Sequence, residues 1–364
     1  MLVDTIQLSH LLETKEFHSL NYFLNQTAFI IAHKNENIDT LLGVLWYLPI
    51  NSPIIIVSNC DQNQINEFKS ALIENVNQHK NLFFIHQKDE RIAEYFAAQG
   101  VPQILDENGL VVDGKGEGMY IGTLCAIQLG YPEFVVYYDA DNFVPSALLE
   151  YTLAMAKLFT TANLTHDNIG PQVKPDLHNI RICWASKPDY TNNFQTPKIL
   201  GRCTRVVSPL FNDLLLSWFG QSQQSIISSN AGEQGLSIKT AKTLRFSSGY
   251  SVETFQLLDF LFHLYQNQSQ VGIFQQYQAK SPHFHDKKDD GHIQKMIEQS
   301  LGCFFLFEEF LSTQVKQHLQ EIYETLNLEL QKPTVYPPLK DFKNDQLLFE
   351  SFRLFESEMI MSVA

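Results

Sequence analysis

The sequence is short of positive charge. Its 364 residues carry 26 Lys and Arg against 40 Asp and Glu, a formal net charge of −14. That balance argues against a protein that coats nucleic acid, because neutralised phosphates supply most of such affinity. Long apolar runs are also absent. Segments such as Ile54–Val57 and Phe134–Tyr138 fall far below the roughly 20 residues a spanning helix needs, so no membrane partner is expected. Met1–Ile6 shows no basic stretch leading into an apolar one, so no secretory leader is expected. The five cysteines, Cys60, Cys125, Cys183, Cys203 and Cys303, are scattered and odd in number, with no CxxC pair. A zinc knuckle or disulfide framework is therefore excluded, and reduced buried thiols in a cytoplasmic protein are expected. No internal repeat or low-complexity stretch is evident.

Hydrophobic residues make up 44% of the chain and charged residues only 18%, ample material for a core and too apolar for a disordered chain. An acidic protein that handles an anionic ligand must offset its own field locally, with a few basic side chains or a metal ion.

The first half alternates apolar runs with helical spacing. Strands are predicted at Ala28–Ala32, Pro53–Val57, Leu82–Ile85 and Phe134–Tyr138. Helices are predicted at Ile38–Leu48, Gln64–Gln78, Asp89–Gln99 and Met119–Leu129. Strands apolar along their whole length and separated by helices indicate an α/β fold, a Rossmann-like parallel sheet covered on both faces. Right-handed crossovers place the loops after such strands along one carboxyl edge, where ligands bind. Beyond Asp141 the pattern is less regular. Helices are expected at Pro145–Phe159, Pro209–Phe219 and Val252–Tyr265, a strand at Ile180–Trp184, and mostly helix thereafter. The expected organisation is a nucleotide-sugar-binding α/β half (1–145), a smaller α+β acceptor half with a metal-ligand loop (146–330), and a C-terminal extension (331–364).

Three local patterns carry chemistry. Asp139-Ala140-Asp141 follows an apolar strand, and residues two apart on a strand face the same way. The pair either lines a solvated turn or approaches one hard divalent cation. Gly114-Lys115-Gly116-Glu117-Gly118 opens a helix, where glycines admit close approach and free N–H groups attract anions. It is not a Walker A motif and reads equally as a flexible loop. His283-Phe284-His285 puts two imidazoles on one side of an extended segment, as transition-metal ligands or as surface residues. Lys34-Asn35-Glu36 and Gln87-Lys88-Asp89 follow the first and third predicted strands, and Asn230 and Glu233 flank Gly232.

In this order, these residues resemble the mannosyl-3-phosphoglycerate synthases, retaining glycosyltransferases of GT-A-type fold. The matching stretches are Lys34–Glu36, Pro53–Asn59, Ile85–Asp89, Ile104–Gly109, Gly114–Met119, Asp139–Asn142 with Val144-Pro145, Asn230–Glu233, Phe246–Glu253 and Pro282–His285. The resemblance implies GDP-mannose as donor, D-3-phosphoglycerate as acceptor and Mg²⁺ or Mn²⁺ as cofactor, with a homodimer as a family-level expectation. It implies a donor site along Lys34, Glu36, Ser58, Gln87, Lys115 and Asp139. The metal would be held by Asp139, Asp141 and one of His283 and His285, with His285 favoured. Gly116, Glu117 and Gly118 would shape the sugar and acceptor pocket, and Glu233 would position the sugar. Lys187, Arg202, Arg205 and Asn230 are candidates for an anionic acceptor. The sequence departs from the family pattern at His33, Ala185 and Gln234. Another donor or acceptor, a sugar nucleotidyltransferase and a non-catalytic sugar-nucleotide sensor remain as alternatives.

Overall fold

The computed structural model describes residues 2–7, 17–161, 175–184, 201–220, 225–285 and 289–355. Among these, an eight-stranded sheet forms the spine. Its strands are β1 (Leu2–Gln7), β2 (Thr27–His33), β3 (Ile54–Ser58), β4 (Leu82–His86), β5 (Phe134–Asp139), β6 (Leu177–Cys183), β7 (Gln234–Ser237) and β9 (Gly272–Gln278). They lie in the order β1-β9-β6-β7-β5-β2-β3-β4. All pairings are parallel except those of β7, which runs antiparallel to both β5 and β6. A two-stranded ribbon joins β8 (Phe246–Ser247) to β10 (Val335–Tyr336).

Strand alternation splits the core into two layers. Phe29, Ile31, Ile54, Ile56, Phe84 and Val136 face α1 (Phe17–Asn25), α2 (Ile38–Trp46), α3 (Ile65–Asn75) and α6 (Ala147–Thr161). Ala28, Ile30, Ile55, Val57, Phe83 and Val135 face α4 (Glu90–Ala98), α5 (Lys115–Gln128) and α8 (Ile238–Thr243). A third cluster lies among α7 (Arg202–Phe219), α9 (Val252–Gln266), α10 (Asp290–Gly302) and α11 (Thr313–Leu326). The segment after β10 ends in α12 (Gln346–Glu350) and returns to the first half: Phe349 and Phe352 enter the α4/α5 layer, and Phe352 O accepts from Phe84 N–H.

The four strands predicted in the first half form, each with boundaries shifted by a residue or so. Three strands of the sheet and both strands of the ribbon escape the pattern. β9 carries the buried amides Gln275 and Gln276, and β7 (Gln-Gly-Leu-Ser) has no β-branched residue. β1 lies at the sheet's other edge. The Gly-Lys-Gly stretch opens α5 as expected, with Gly114 as its N-cap and Lys115 as its first residue, so the helix starts four residues before Met119. α7 starts at Arg202, seven residues before Pro209. Proline is favoured in a first turn, hence the expected start, but the helix continues through it.

Candidate active site

A cleft of about 510 Å³ opens at the carboxyl edge of the parallel strands. Its walls are set by topology. β5 ends at Asp139, and α5 presents Lys115 at its first position beside it. Because β7 is antiparallel and pairs Gln234 with Tyr137, Glu233 reaches the same edge from the opposite chain direction. Parallel β6 and β9 end together, with Cys183 opposite Gln278, so Trp184 and the 279–285 segment also emerge there. Phe143 N–H donates to Phe284 O at 2.7 Å, tying the loop after β5 to the segment bearing the histidines.

These paths place Asp139, Glu233 and His283 with one ligand atom each mutually within 4.8 Å. Glu233 is 1% exposed; its Oε1 pairs with His283 Nδ1 at 3.1 Å, and among the described residues neither carboxylate oxygen makes a well-formed hydrogen bond. His283 stacks on Trp184 at 4.4 Å and meets His285 edge-on at 5.4 Å. A buried carboxylate without a well-formed hydrogen bond is costly. Two carboxylates and an imidazole form a donor set suited to Mg²⁺ or Mn²⁺.

Lys115 Nζ donates to Asp139 Oδ1 at 2.5 Å and to Glu253 Oε1 at 2.6 Å. Burial opposes its charge, but the two carboxylates override that and hold its pKa well above the ordinary lysine range. Burial alone would raise Asp139. Lys115 reverses this, helped by His283 and His285, and keeps Asp139 below the usual carboxylate value. Gly232 packs so tightly on Asp139 that a Cβ would meet its carboxylate at 2.3 Å.

At the opposite end, Lys34 Nζ pairs with Asp113, and Lys34 N–H donates to Glu36 Oε2 at 2.7 Å. Gln87, anchored through Val112 O, lines the cleft between them and Gly118. His33 lines the same end and contacts Ser58 Oγ at 2.8 Å. On the third side, α7 begins with Arg202 after Gly201, which offers no side-chain cap. Thr204, His292, Lys295 and Asn230 complete that wall.

Of the residues singled out from sequence, Lys34, Glu36, Gln87, Lys115, Gly118, Asp139, Asp141, Arg202, Asn230, His283 and His285 line the cleft, and Glu233 lies just beneath it. Four of the expected site residues lie elsewhere. Ser58 is fully buried and receives Cys60 N–H. Gly116 faces the Ser247–Gly249 backbone, where a Cβ would lie 2.0 Å from Ser247 O. Glu117 points into the protein, accepting from Tyr336 Oη at 2.5 Å and Gly249 N–H at 3.1 Å, and burial pushes its pKa up. These two act on the pocket by packing the start of α5 in place rather than by lining it. Arg205 is exposed on α7, outside the cleft, and Lys187 and Ala185 lie outside the described residues. Gln234 is buried against Gln256, so this departure does not face the cleft. Sequence reasoning gave no role to Glu253, Trp184, His292 or Lys295. Glu253 sat in a matching stretch, but the other three carried no local signal.

Arg181 underlies one wall. It is fully buried in β6 and donates to the carbonyls of Ser228, Ser229 and Glu253. Burial pushes its pKa down to about 9. No helix among the described residues is long and apolar enough to cross a membrane.

A family model described as mannosyl-3-phosphoglycerate synthase matches residues 5–350. The mannosyl-3-phosphoglycerate synthase of Pyrococcus furiosus is 31% identical over 297 residues, 78% of this chain and 72% of the relative. Among solved structures, mannosyl-3-phosphoglycerate synthase from Rubrobacter xylanophilus superposes with a TM-score of 0.53 at 12% identity, covering 93% of this chain and 95% of that one. Glucosyl-3-phosphoglycerate synthase from Mycobacterium tuberculosis, in complex with Mn²⁺, UDP and glucosyl-3-phosphoglycerate, gives 0.51 at 13% identity over 94% of this chain and all of that one. The shared architecture is the GT-A fold, and the nucleotidyltransferase and sensor readings fall away. With residues 5–350 matched by the family model and a curated relative 31% identical, the chain belongs to the mannosyl-3-phosphoglycerate synthase family and is a glycosyltransferase.

Proposed function

We propose that this protein transfers mannose from GDP-mannose to D-3-phosphoglycerate with retention of configuration, using Mg²⁺ or Mn²⁺. Family membership supports the donor and acceptor. The observation that carries the metal is the buried trio Asp139, Glu233 and His283, in which His283 Nδ1 approaches Glu233 Oε1 at 3.1 Å and, among the described residues, neither Glu233 oxygen makes a well-formed hydrogen bond. These three would hold the cation, with Asp141 and His285 lining the same cleft. When bound, the cation supplies positive charge to the donor diphosphate as it leaves.

The chain's own groups divide the remaining work. Lys34, Glu36 and Gln87 form the end suited to the nucleoside, offering a cation, a carboxylate and an amide to ribose and base. Lys115 sits at a helix N-terminus, held by Asp139 and Glu253, where it meets the diphosphate with a fixed positive charge. Arg202, Lys295 and the uncapped start of α7 form the cationic wall for an acceptor carrying phosphate and carboxylate. Asn230, fixed by Thr254 and Ser300 hydroxyls, lies between the two ends. Same-face attack places the acceptor hydroxyl beside the leaving phosphate, which takes its proton, so no separate strong base is required.

The test is incubation with GDP-mannose and D-3-phosphoglycerate plus Mg²⁺ or Mn²⁺, followed by ³¹P NMR and mass spectrometry. A phosphorylated α-mannoside is expected, and EDTA should stop its formation. No such product, while UDP-glucose or another acceptor turns over, would overturn the assignment.

A further inference from the structure

The 279–285 segment contributes His283, yet it is a loop leaving the end of β9, and a loop pays conformational entropy to hold an imbalanced charge site. Its restraint comes from outside the cleft. Glu150 stands in the first turn of α6 and does not line the cleft. Its Oε1 accepts from Tyr277 Oη at 2.7 Å and Lys280 N–H at 2.8 Å, and its Oε2 accepts from Ser281 N–H at 2.8 Å. One carboxylate thus grips Tyr277 near the end of β9 and the two consecutive amides of the turn. Three residues beyond Ser281, Phe284 O is fastened to Phe143 N–H. Only Pro282 and His283 lie between the two anchors, and proline has a fixed φ. His283 also stacks on Trp184.

We propose that Glu150 is a positioning residue for His283, and that its grip on the 280–281 turn sets how tightly the divalent cation is held. The proposal rests on the metal site described under Proposed function. The charge of Glu150 matters as well as its shape, since both oxygens accept from N–H or O–H donors and an amide replacement presents a donor to one of them. Groups behind metal ligands commonly govern affinity by about 10–100-fold.

The experiment is a Mn²⁺ titration of the purified protein, followed by EPR of the free ion, on wild type, Glu150→Ala, Glu150→Gln and His283→Ala. Glu150→Ala should raise the Mn²⁺ dissociation constant by about 10–100-fold. At saturating Mn²⁺ its kcat and donor KM should return to within a few-fold of wild type, a split that a generally loosened fold would not show. Glu150→Gln should weaken Mn²⁺ by less, and it decides the matter should Glu150→Ala not fold. If His283→Ala weakens Mn²⁺ binding but neither Glu150 variant does, this proposal fails and the metal site stands. If His283→Ala leaves Mn²⁺ affinity unchanged, the metal site fails and the role of Glu150 falls with it.

Discussion

The two sides of the cleft are built by different rules. On the donor side, Lys34, Glu36 and Gln87 each follow a parallel strand that pairs with its neighbours in register. Their positions come from local chain direction. On the far side, Glu233 arrives on an antiparallel strand, His283 on a loop after β9, and Arg202 on the first turn of α7. Buried polar side chains hold that side together. Arg181 holds the 228–229 carbonyls, Gln276 accepts from Ile227 and Ser228 N–H, and Glu150 holds the turn before His283. The donor side is placed by strand order, whereas the far side is placed by side-chain wiring and is the more sensitive to single substitutions.

Asp139 sits at the seam between the two sides and should show the largest effect. Asp139→Asn removes a charge shared by Lys115 and the metal trio, and should lower kcat by about a thousandfold with the far-UV spectrum unchanged. Steady-state kinetics with saturating Mn²⁺ checks this, and loss below tenfold would separate Asp139 from the chemistry.

Arg181→Met tests the wiring directly. Three buried carbonyls lose their donor, and stability should fall by about 3–4 kcal/mol in urea unfolding. A loss under 1 kcal/mol would mean that the far wall stands without it.

The pH dependence sharpens the contrast further, because His178 belongs to the far side. Burial pushes its pKa down to about 4 from 6.5, against the bond to Gln275. Folding therefore favours the neutral ring. The stability it contributes is present above about pH 6.5 and is lost as pH falls toward 4, by up to about 3 kcal/mol. Unfolding curves at pH 7.5 and pH 4.5 should differ less for His178→Gln than for wild type.

The smallest effect belongs to the donor side. Lys34 and Asp113 form an exposed pair, with side chains 51% and 46% accessible. Lys34→Ala should change stability by less than about 1 kcal/mol while raising the donor KM a few-fold.

The same division explains what the chain disclosed before its structure was known. The parallel strands and the Asp139 and Lys115 positions follow from apolar runs, alternation and glycine placement, all local features. Glu233 was visible as a carboxylate beside Gly232, but its place near Asp139 depends on β7 running backwards, and Gln-Gly-Leu-Ser has no strand signature. Alternation treats His283 and His285 alike, and the preference for His285 rests on the family resemblance alone. Only the stacking on Trp184 and the approach to Glu233 distinguish them. That Glu117 turns into the protein and does not line the pocket is illegible for a similar reason: its partner, Tyr336, is 219 residues away.

That distant partner bears on how the protein is made. Tyr336 reaches Glu117, Tyr120 reaches Pro337 O, and Arg353 stacks on Phe83, so late residues close over the helix that presents Lys115. Chains emerge from the ribosome N-terminus first. The four parallel strands of the first half, β2 to β5, precede this contact in the chain, and Glu117 stays without the tyrosine hydroxyl until residue 336 has left the exit tunnel. A product halted short of that point would lack the tyrosine hydroxyl that pairs with Glu117 at the start of α5.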